Sequence, residues 1–417
     1  MTIHIIGGGL AGLSAAVALT KAGHPIVLYE SGPQAGGRCR SYDDRELGCR
    51  VDNGNHLLLS GNTAALDYLA TVGARDTLGG PGAPFFPFMD LASGKRWTLR
   101  PSAGRLPLWV FSPIRRVPGT KALDYLRLLP LARANGAATI DDLLPPGALR
   151  RNLLEPLAIS ALNTPPQQAR AALMAAVMRE TLTRGGSACI PLFPAGSLSE
   201  TLIDPALRWL QGRGATIHLG RRIADLSVAD GRVVGLGTTA GAVALAAHDA
   251  VILATPPWVA TDLLPGLVAP DSFQAIMNLH FAVAPAAPPA DIARAGFVGL
   301  VGGTSEWVFL KPGHVSVTIS AANRFLDTPP EELAATVWPE VCKALGLVSD
   351  MPRCRVVKEK RATFAATPVQ DSRRPGARTA IRNLFLAGDW TSTGLPATIE
   401  GAIRSGRTAA DMIRAAL

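Results

Sequence analysis

The first thirty residues constrain the fold more than any other part of the chain. Residues 2–6 are a short apolar run that leads directly into Gly7, Gly9 and Gly12, and the next apolar run ends at Glu30. In a βαβ unit each glycine of this GxGxxG spacing has a physical role. Gly7 permits the tight turn, Gly9 lets the backbone approach a pyrophosphate, and Gly12 lets the helix pack closely on the strand. The sequence therefore predicts a Rossmann-like site for a dinucleotide.

The parts around the glycines agree with this prediction. Residues 13–22 have an apolar, alanine-rich helical pattern that ends at a glycine, and residues 25–29 predict a second strand. The free N–H groups at the start of such a helix attract phosphate, so we assign Leu10 and Ala11 to the cofactor site together with the glycines. Glu30 lies 18 residues beyond Gly12, where a carboxylate can accept hydrogen bonds from ribose hydroxyls.

A second glycine pair distinguishes the kind of dinucleotide. Glu30 is followed, after five residues, by Gly36, Gly37 and Arg38. This E-x5-GGR spacing resembles the signature of the flavin amine oxidase and phytoene desaturase superfamily, and simple NAD dehydrogenases lack it. The resemblance implies an FAD cofactor whose pyrophosphate runs beside the glycine pair. A guanidinium neutralises phosphate oxygens and forks onto them, which gives Arg38 a physical role there.

The C-terminal part resembles the second FAD motif of the same superfamily. Residues 383–386 predict a strand, Gly388 and Asp389 follow, and a helical pattern begins near residue 398. The resemblance implies that Asp389 bonds the ribityl chain or the pyrophosphate. It also implies that backbone N–H groups near the helix start face the N1/C2 edge of the flavin, where they favour reduction. These residues are Thr398, Ile399 and Glu400.

The middle of the chain returns to the same domain. Residues 250–257 predict a buried strand with a sharp turn, and residues 215–219 and 223–228 predict strands before it. By resemblance, Ile223 lies near the adenine. Residues 235–241 imitate a second glycine motif, but no helical pattern follows them, so a β-hairpin is the better interpretation. No NAD(P) domain is then visible, and electrons come from another protein, a diffusing cofactor or the substrate.

We therefore predict an α/β fold in which a Rossmann-like FAD-binding domain of the glutathione-reductase type is interleaved with a mixed α+β substrate domain. The FAD-binding domain comprises residues 1–60, 186–257 and 379–417, and the substrate domain residues 61–185 and 258–378. The first part of the substrate domain is predicted to be mainly helical, at residues 64–72, 121–135, 149–161 and 166–180. The second part mixes strands, at 306–310 and 315–320, with a helix at 330–345.

The charge of the chain indicates which partners it can contact. The net charge is +9, and residues 95–133 contain nine cations interleaved with Trp and aliphatic residues but only one acid, Asp124. The cations are Lys95, Arg96, Arg100, Arg105, Arg115, Arg116, Lys121, Arg127 and Arg133. This composition favours contact with an anionic membrane surface. The alternative interpretation is a basic face that is only solvated and covers core residues. No nucleic-acid motif accompanies the charge.

Five scattered cysteines form no CxxC pair, and no Cys/His cluster has metal spacing. The N-terminus begins at once with a strand and glycines, without the features of a signal peptide. We expect no metal and a cytoplasmic protein, peripheral on the inner face of the membrane.

The amino-acid sequence of several segments is similar to that of the hydroxysqualene dehydroxylases. These segments are residues 52–56 (DNGNH), 194–198 (PAGSL) and 388–402, in addition to the opening glycines and the GGR pair. The resemblance implies reductive loss of the hydroxyl from hydroxysqualene, a C30 isoprenoid, to give squalene for hopanoid synthesis. Residues 52–56 and the three leucines that follow suggest a strand that runs toward the flavin ring. His56 is the candidate proton donor, and the alternative is a histidine that only hydrogen-bonds backbone.

Three other functions stay open. A carotenoid or phytoene desaturase would use the same scaffold, but those enzymes usually run longer. A flavin amine oxidase would frame the flavin with aromatic rings, yet all four tyrosines lie in the first third of the chain, and only Trp390 could supply a ring. The third alternative is a non-catalytic protein that binds FAD without turnover.

Overall fold

The computed structural model describes residues 1–416. A five-stranded parallel sheet carries the opening and closing segments of the chain, in the order β10-β2-β1-β14-β20. Its strands are β1 (Ile3–Ile6), β2 (Ile26–Tyr29), β10 (Thr216–His218), β14 (Ala250–Leu253) and β20 (Leu384–Leu386). Four of the five strands are almost wholly apolar, as expected for a parallel sheet covered on both faces. The predicted Rossmann-like α/β fold is confirmed.

Helices α1 (Leu10–Lys21), α7 (Asp204–Gln211) and α12 (Ile399–Ala415) flank this sheet. The first and last of them pack directly on each other, although nearly 400 residues separate them in the sequence. A Cβ at Gly406 would lie 2.1 Å from the backbone oxygen of Ala11, and Ser14 Oγ donates to the backbone oxygen of Ile403 at 2.9 Å. The closing helix is therefore held against the start of the opening helix.

A second sheet of three antiparallel strands follows β10. It contains β11 (Ile223–Ala229), β12 (Arg232–Thr238) and β13 (Gly241–Ala244). The glycine-rich residues 235–241 lie on β12 and in the turn to β13, with Thr238 paired to Gly241. The interpretation of this stretch as a β-hairpin is confirmed.

The third sheet has seven strands in the order β19-β15-β18-β17-β16-β7-β8. They are β7 (Phe86–Asp90), β8 (Arg96–Leu99), β15 (Phe273–Phe281), β16 (Phe297–Val301), β17 (Trp307–Lys311), β18 (His314–Ile319) and β19 (Cys354–Phe364). One face packs on α10 (Pro330–Leu345) through an aliphatic core. The other face is aromatic along β16, β17 and β7, and its side chains join the core that includes α5 (Glu155–Leu162) and α6 (Ala171–Glu180).

Short elements connect these layers. The hairpin of β3 (Ser41–Asp44) and β4 (Cys49–Asp52) follows the second glycine pair, and β9 (Pro191–Pro194) pairs with β5 (Leu58–Leu59) and β6 (Leu78–Gly79). The remaining helices are α2 (Thr63–Thr71), α3 (Leu129–Ala132), α4 (Ile140–Leu143), α8 (Pro257–Leu263), α9 (Ala290–Ala295) and α11 (Pro368–Ser372).

The region predicted to be mainly helical is more varied than expected. Strands β7 and β8 belong to it, and their Phe and Trp residues suit a strand that is buried in a sheet. The predicted helix over 121–135 is a 3-10 turn at Ala122–Leu128 followed by α3, because Pro130 cannot continue a helix from the preceding turn. Pro156 likewise separates a π-turn at Arg150–Leu154 from α5.

Two other predictions of local structure need correction. The predicted helix at 166–180 begins only at Ala171, after a turn that contains the adjacent prolines at 165 and 166. The strand expected over residues 52–56 ends at Asp52, and the following residues form a loop. The limits of the two predicted domains stay a prediction.

Candidate flavin site

The turn between β1 and α1 has the shape that a phosphate requires. Gly7 has a φ of +111°, and a Cβ there would lie 2.4 Å from the backbone oxygen of Ala254, so the position requires glycine. Gly9 caps α1 without a side-chain hydrogen bond, and a Cβ built on it meets no atom within 4 Å. No acidic side chain stands in the first helical turn. The backbone N–H groups of Leu10 and Ala11 therefore begin a helix with no side-chain cap.

Glu30 lies beside this turn at the end of β2. Its carboxylate accepts hydrogen bonds from the backbone nitrogens of Gly8, at 2.8 Å, and Gly32, at 2.7 Å. A Cβ at Gly12 would lie 2.0 Å from the backbone oxygen of Gly7, which is the close approach of helix and strand that the motif predicts. The ribose contact of Glu30 stays a prediction.

The second glycine pair lies against the first. The backbone nitrogen of Gly36 donates to Gly8 at 2.8 Å, and a Cβ on Gly37 would be only 3.7 Å from Cα of Gly9. Arg38 then extends across to the C-terminal motif, where its Nη2 donates to Asp389 Oδ1 at 2.7 Å. About a third of the Arg38 side chain remains exposed. Its guanidinium is held by Asp389 and by the backbone oxygen of Ala362, and the exposed part of the side chain is accessible to a phosphate.

The closing helix begins beside this pair. Gly388 has a φ of +155° and lies directly against the indole of Trp390, so a side chain has no room there. Thr398 caps α12 by accepting a hydrogen bond from the backbone nitrogen of Gly401 at 3.0 Å, and Ile399 is the first helical residue. The predicted strand, Gly-Asp turn and helix are all present. Ile223 is buried at the start of β11.

Glu400 has a role that the sequence did not indicate. Its side chain is 2% exposed, and its carboxylate accepts hydrogen bonds from the backbone nitrogens of Ala64 and Ala65 at 3.1 and 2.8 Å. It also pairs with Arg404 at 2.8 Å. The carboxylate thus caps the N-terminus of α2, whereas the predicted flavin contact concerns the backbone N–H of this residue. Only its backbone N–H remains for a flavin contact.

The loop at residues 53–56 lies on a polar part of the seven-stranded sheet. Asn55 Nδ2 donates to Ser316 Oγ at 2.7 Å and to Thr318 Oγ1 at 3.0 Å. Asn278 Nδ2 donates to the backbone oxygen of Asn53 at 3.3 Å. The sequence reasoning did not identify Asn278, Ser316 or Thr318, because each becomes part of the site only through sheet pairing.

A buried ion pair lies next to this loop. Lys311 Nζ is 3.2 Å from Asp52 Oδ2, and both side chains are nearly inaccessible to solvent. Asp52 Oδ1 also accepts hydrogen bonds from Ser41 Oγ at 2.6 Å and from the backbone nitrogen of Leu198 at 2.9 Å. These contacts fix the end of β4 and hence the direction of the loop. Lys311 and Asp52 are 259 residues apart, which is why the sequence did not reveal the pair.

The two histidines near the loop are neutral at physiological pH. Burial is the main cause that lowers the pKa of His56 to about 4. The carboxylate of Asp52 opposes it, and the charges of Arg38 and Lys311 add smaller contributions in the same direction as burial. Burial lowers the pKa of His280 to about 3, and its Nε2 has no hydrogen-bond partner within residues 1–416. A neutral imidazole is a weak proton donor, so this finding weighs against His56 as the acid. Its role stays a prediction.

Trp390 is not placed to form an amine-binding cage. Its side chain is 1% exposed, and its Nε1 donates to the backbone oxygen of Thr255 at 2.9 Å. The indole is part of the core between β14 and the C-terminal motif.

Comparison with known proteins agrees with this geometry. Residues 10–285 and 309–414 match the family described as flavin containing amine oxidoreductase. The hydroxysqualene dehydroxylase of Rhodopseudomonas palustris is 48% identical over 417 residues, which cover 100% of this chain and 99% of that protein. The chain belongs to the hydroxysqualene dehydroxylase family. The probable zeta-carotene desaturase of Synechococcus elongatus is only 25% identical, over 98% of each chain.

The solved structures that resemble this dehydroxylase family member share its fold. A triple mutant of putrescine oxidase aligns with a TM-score of 0.73 and 18% identity, and the alignment covers all of both chains. The predicted FAD cofactor is confirmed by the flavin family. The uncapped start of α1, the open space at Gly9 and the partly exposed side chain of Arg38 fit its pyrophosphate. Within residues 1–416 no group of His, Cys, Asp and Glu side chains is arranged to hold a metal ion.

Proposed function

We propose that this protein catalyses the reductive dehydroxylation of hydroxysqualene to squalene. The observation that carries the proposal is the full-length identity to a hydroxysqualene dehydroxylase, which is almost twice the identity to a carotenoid desaturase. The buried indole of Trp390 supports it further, because an amine oxidase would need aromatic rings at the flavin.

The reaction breaks one bond and forms another at the same carbon. The C–O bond of the alcohol breaks, and the hydroxyl leaves as water with one added proton. A hydride then forms the new C–H bond. Reduced FAD, when bound, supplies that hydride. The protein must hold the flavin rigidly, exclude water and provide a proton.

One face of the seven-stranded sheet changes from polar to aromatic side chains, and this change supports such a role. This face is polar under the loop at residues 53–56 and aromatic farther along, where Phe88 and Trp307 have ring centroids 5.6 Å apart and Phe88 stacks on Trp97 at 5.6 Å. We propose that the isoprenoid chain lies between the aromatic part and the helices α5 and α6 that cover it, and that its hydroxyl reaches the polar part. Aromatic faces exclude water and stabilise a neighbouring positive charge, as an allylic carbocation requires.

We keep His56 as the candidate that contacts the hydroxyl, now as a neutral hydrogen-bonding group. Its low pKa means that the proton itself comes from another group or from water. The electron donor lies outside this chain in our proposal, since residues 235–241, which resemble a second dinucleotide motif, form the β12–β13 hairpin.

Anaerobic single-turnover mixing tests the proposed reaction. Protein whose flavin has been reduced chemically is mixed with hydroxysqualene, with phytoene or with an amine, and products are identified by mass spectrometry. We expect reoxidation of the flavin with hydroxysqualene alone, together with squalene. In a parallel set, protein with oxidised flavin is mixed anaerobically with phytoene or with an amine. Reduction of that flavin by phytoene would instead establish a desaturase, and reduction by an amine would establish an amine oxidase. Flavin that responds to no substrate in either set would favour the non-catalytic alternative.

We also propose that the protein works in the cytoplasm in peripheral contact with the membrane. Seven of the fifteen large apolar side chains that are exposed within residues 1–416 lie between residues 106 and 129. They are Leu106, Leu108, Phe111, Ile114, Leu123, Leu126 and Leu129. No helix within residues 1–416 is both long and apolar enough to span a bilayer. A surface of this kind suits shallow insertion, which would give a C30 substrate a path from the lipid.

A further inference from the structure

The cations around this apolar segment have no carboxylate partners in the part of the chain that the structure describes. Within residues 1–416, ion pairs within 4 Å involve cations from most parts of the chain, but none involves the nine Lys and Arg side chains between residues 95 and 133. The one acid in that segment, Asp124, accepts from the backbone nitrogen of Lys121 at 2.7 Å. A surface that is both apolar and positively charged without internal neutralisation is complementary to an anionic bilayer.

Part of this charge lines a groove. A cavity of about 400 Å³ lies between β8 and residues 113–120, and its walls include Lys95, Arg96 and Arg116 but no acidic residue. Ile114, which is 83% exposed, forms part of the same wall. The groove therefore opens beside an apolar side chain and concentrates positive charge within it.

The donors that face this groove are those of Lys95 and Arg116. Arg96 Nη2 donates to the backbone oxygen of Ala344 at the end of α10, so its guanidinium is held on that face of the sheet. The indole of Trp97, the next residue, stacks on Phe88 on the opposite face. Arg116 Nη1 donates to the backbone oxygen of Val110 at 3.2 Å, and Lys95 is exposed, which leaves donors of both side chains for a ligand with several acceptor oxygens.

We propose that this groove binds the phosphate of an anionic phospholipid headgroup. The proposal rests on the membrane contact proposed above and names its partner. Phosphate offers several charged acceptors to the guanidinium group of Arg116 and the ammonium group of Lys95, and the charge of Arg96 adds to the positive potential of the groove. The acyl chains of the lipid lie beside Ile114 and the neighbouring exposed apolar residues. The headgroup site thus fixes the orientation in which the apolar segment enters the bilayer.

Vesicle flotation with the FAD-loaded full-length protein tests the groove. Vesicles of phosphatidylcholine alone are compared with vesicles that contain phosphatidylglycerol, and we expect tighter binding to the anionic vesicles. Each basic residue near an anionic surface contributes about a five-fold change in binding. Lys95→Gln/Arg116→Gln removes two cations from the groove. Arg105→Gln/Arg133→Gln removes two exposed cations of the same segment that do not line it.

We expect the groove pair to weaken binding to anionic vesicles about ten-fold more than the matched pair, because direct contacts to phosphate are lost as well as charge. Equal losses, or no preference for anionic vesicles in the unmodified protein, would overturn the proposal. If the double variant does not retain flavin, Lys95→Gln alone tests the groove, because this side chain is exposed and its replacement should not disturb the fold. Phe111→Ser/Ile114→Ser tests the membrane contact separately, because it should weaken binding to both kinds of vesicle. An unchanged affinity of that variant would refute the apolar insertion. The comparison of anionic with neutral vesicles would still test the groove in that case.

Discussion

Replacing Gly9 with alanine should separate cofactor binding from folding. The backbone at Gly9 has φ −77° and ψ 177°, which alanine adopts without strain, and its Cβ would enter open space. Alanine is a poorer N-cap than glycine but also reduces the entropy of the unfolded chain, so the two effects nearly cancel. We expect the free energy of unfolding of the flavin-free protein to change by less than about 1 kcal/mol.

The same methyl group occupies the space that we assign to the pyrophosphate. If it displaces the phosphates from two backbone N–H groups, each lost bond to a charged acceptor costs about 1.5–3 kcal/mol. The affinity for FAD should then fall by about 100- to 10,000-fold. Titration of flavin-free protein with FAD, followed by quenching of flavin fluorescence, measures this change. Urea unfolding of the same sample measures the stability.

Gly104→Ala is the matched control, because a Cβ at Gly104 also meets nothing within 4 Å but lies in the basic segment. It should change neither quantity appreciably. Our reasoning would be refuted by a Gly9→Ala variant that binds FAD within about two-fold of the unmodified protein. A large loss of stability would show that the space at Gly9 is not open.

Three further predictions concern stability. Gly406→Ala should lower the free energy of unfolding, measured by urea titration, by about 1–3 kcal/mol, since its Cβ would lie 2.1 Å from a backbone oxygen of α1. A change no larger than that of Gly104→Ala would contradict the close packing of α1 and α12. Burial lowers the pKa of His280 to about 3, whereas the unfolded chain has its ordinary value of 6.5. The unfolded state alone therefore gains this proton as the pH falls below 6.5, and stability should decline by about 2 kcal/mol between pH 8 and pH 5 on account of this residue. Urea titrations of His280→Asn should show a shallower decline, and an identical slope would mean that the imidazole is protonated in the folded protein. Lys311→Met should lower the free energy of unfolding by about 3–5 kcal/mol, because it leaves Asp52 buried without its cation. Adding Asp52→Asn to that variant should recover part of the lost stability. A double variant no more stable than Lys311→Met would argue against direct coupling of the two side chains.

The sequence predicted the cofactor-binding half of the fold because its signals are local. The glycines at 7, 9 and 12 lie within one turn, and the strands beside them are short apolar runs whose partners follow from the motif. The hairpin at residues 235–241 was likewise predictable, since the absence of a helical pattern after its glycines is visible over a few residues.

The rest of the site depends on contacts between distant segments. Asp52 and Lys311 are 259 residues apart, and Glu400 caps a helix that begins 337 positions earlier. Neither pairing has a local pattern that could predict it. The low pKa of His56 also follows from burial in the folded chain, which no spacing of residues shows.

The helices of the substrate region were overestimated for a different reason. Apolar residues at helical spacing around Pro130 and Pro156 predicted continuous helices, but proline lacks the N–H group that a helix interior needs. The strands β7 and β8 were missed because four or five residues give too short a pattern to distinguish a buried strand from other apolar runs.

The central claim is that reduced flavin held by this chain gives its electrons to the hydroxylated isoprenoid. Rapid-quench and stopped-flow measurements on one anaerobic mixture test it most directly, by following squalene and oxidised flavin together. We predict one squalene for each flavin reoxidised, with both formed at the same rate. Flavin that stays reduced while hydroxysqualene is present in excess, or that is reoxidised without squalene, would contradict the account.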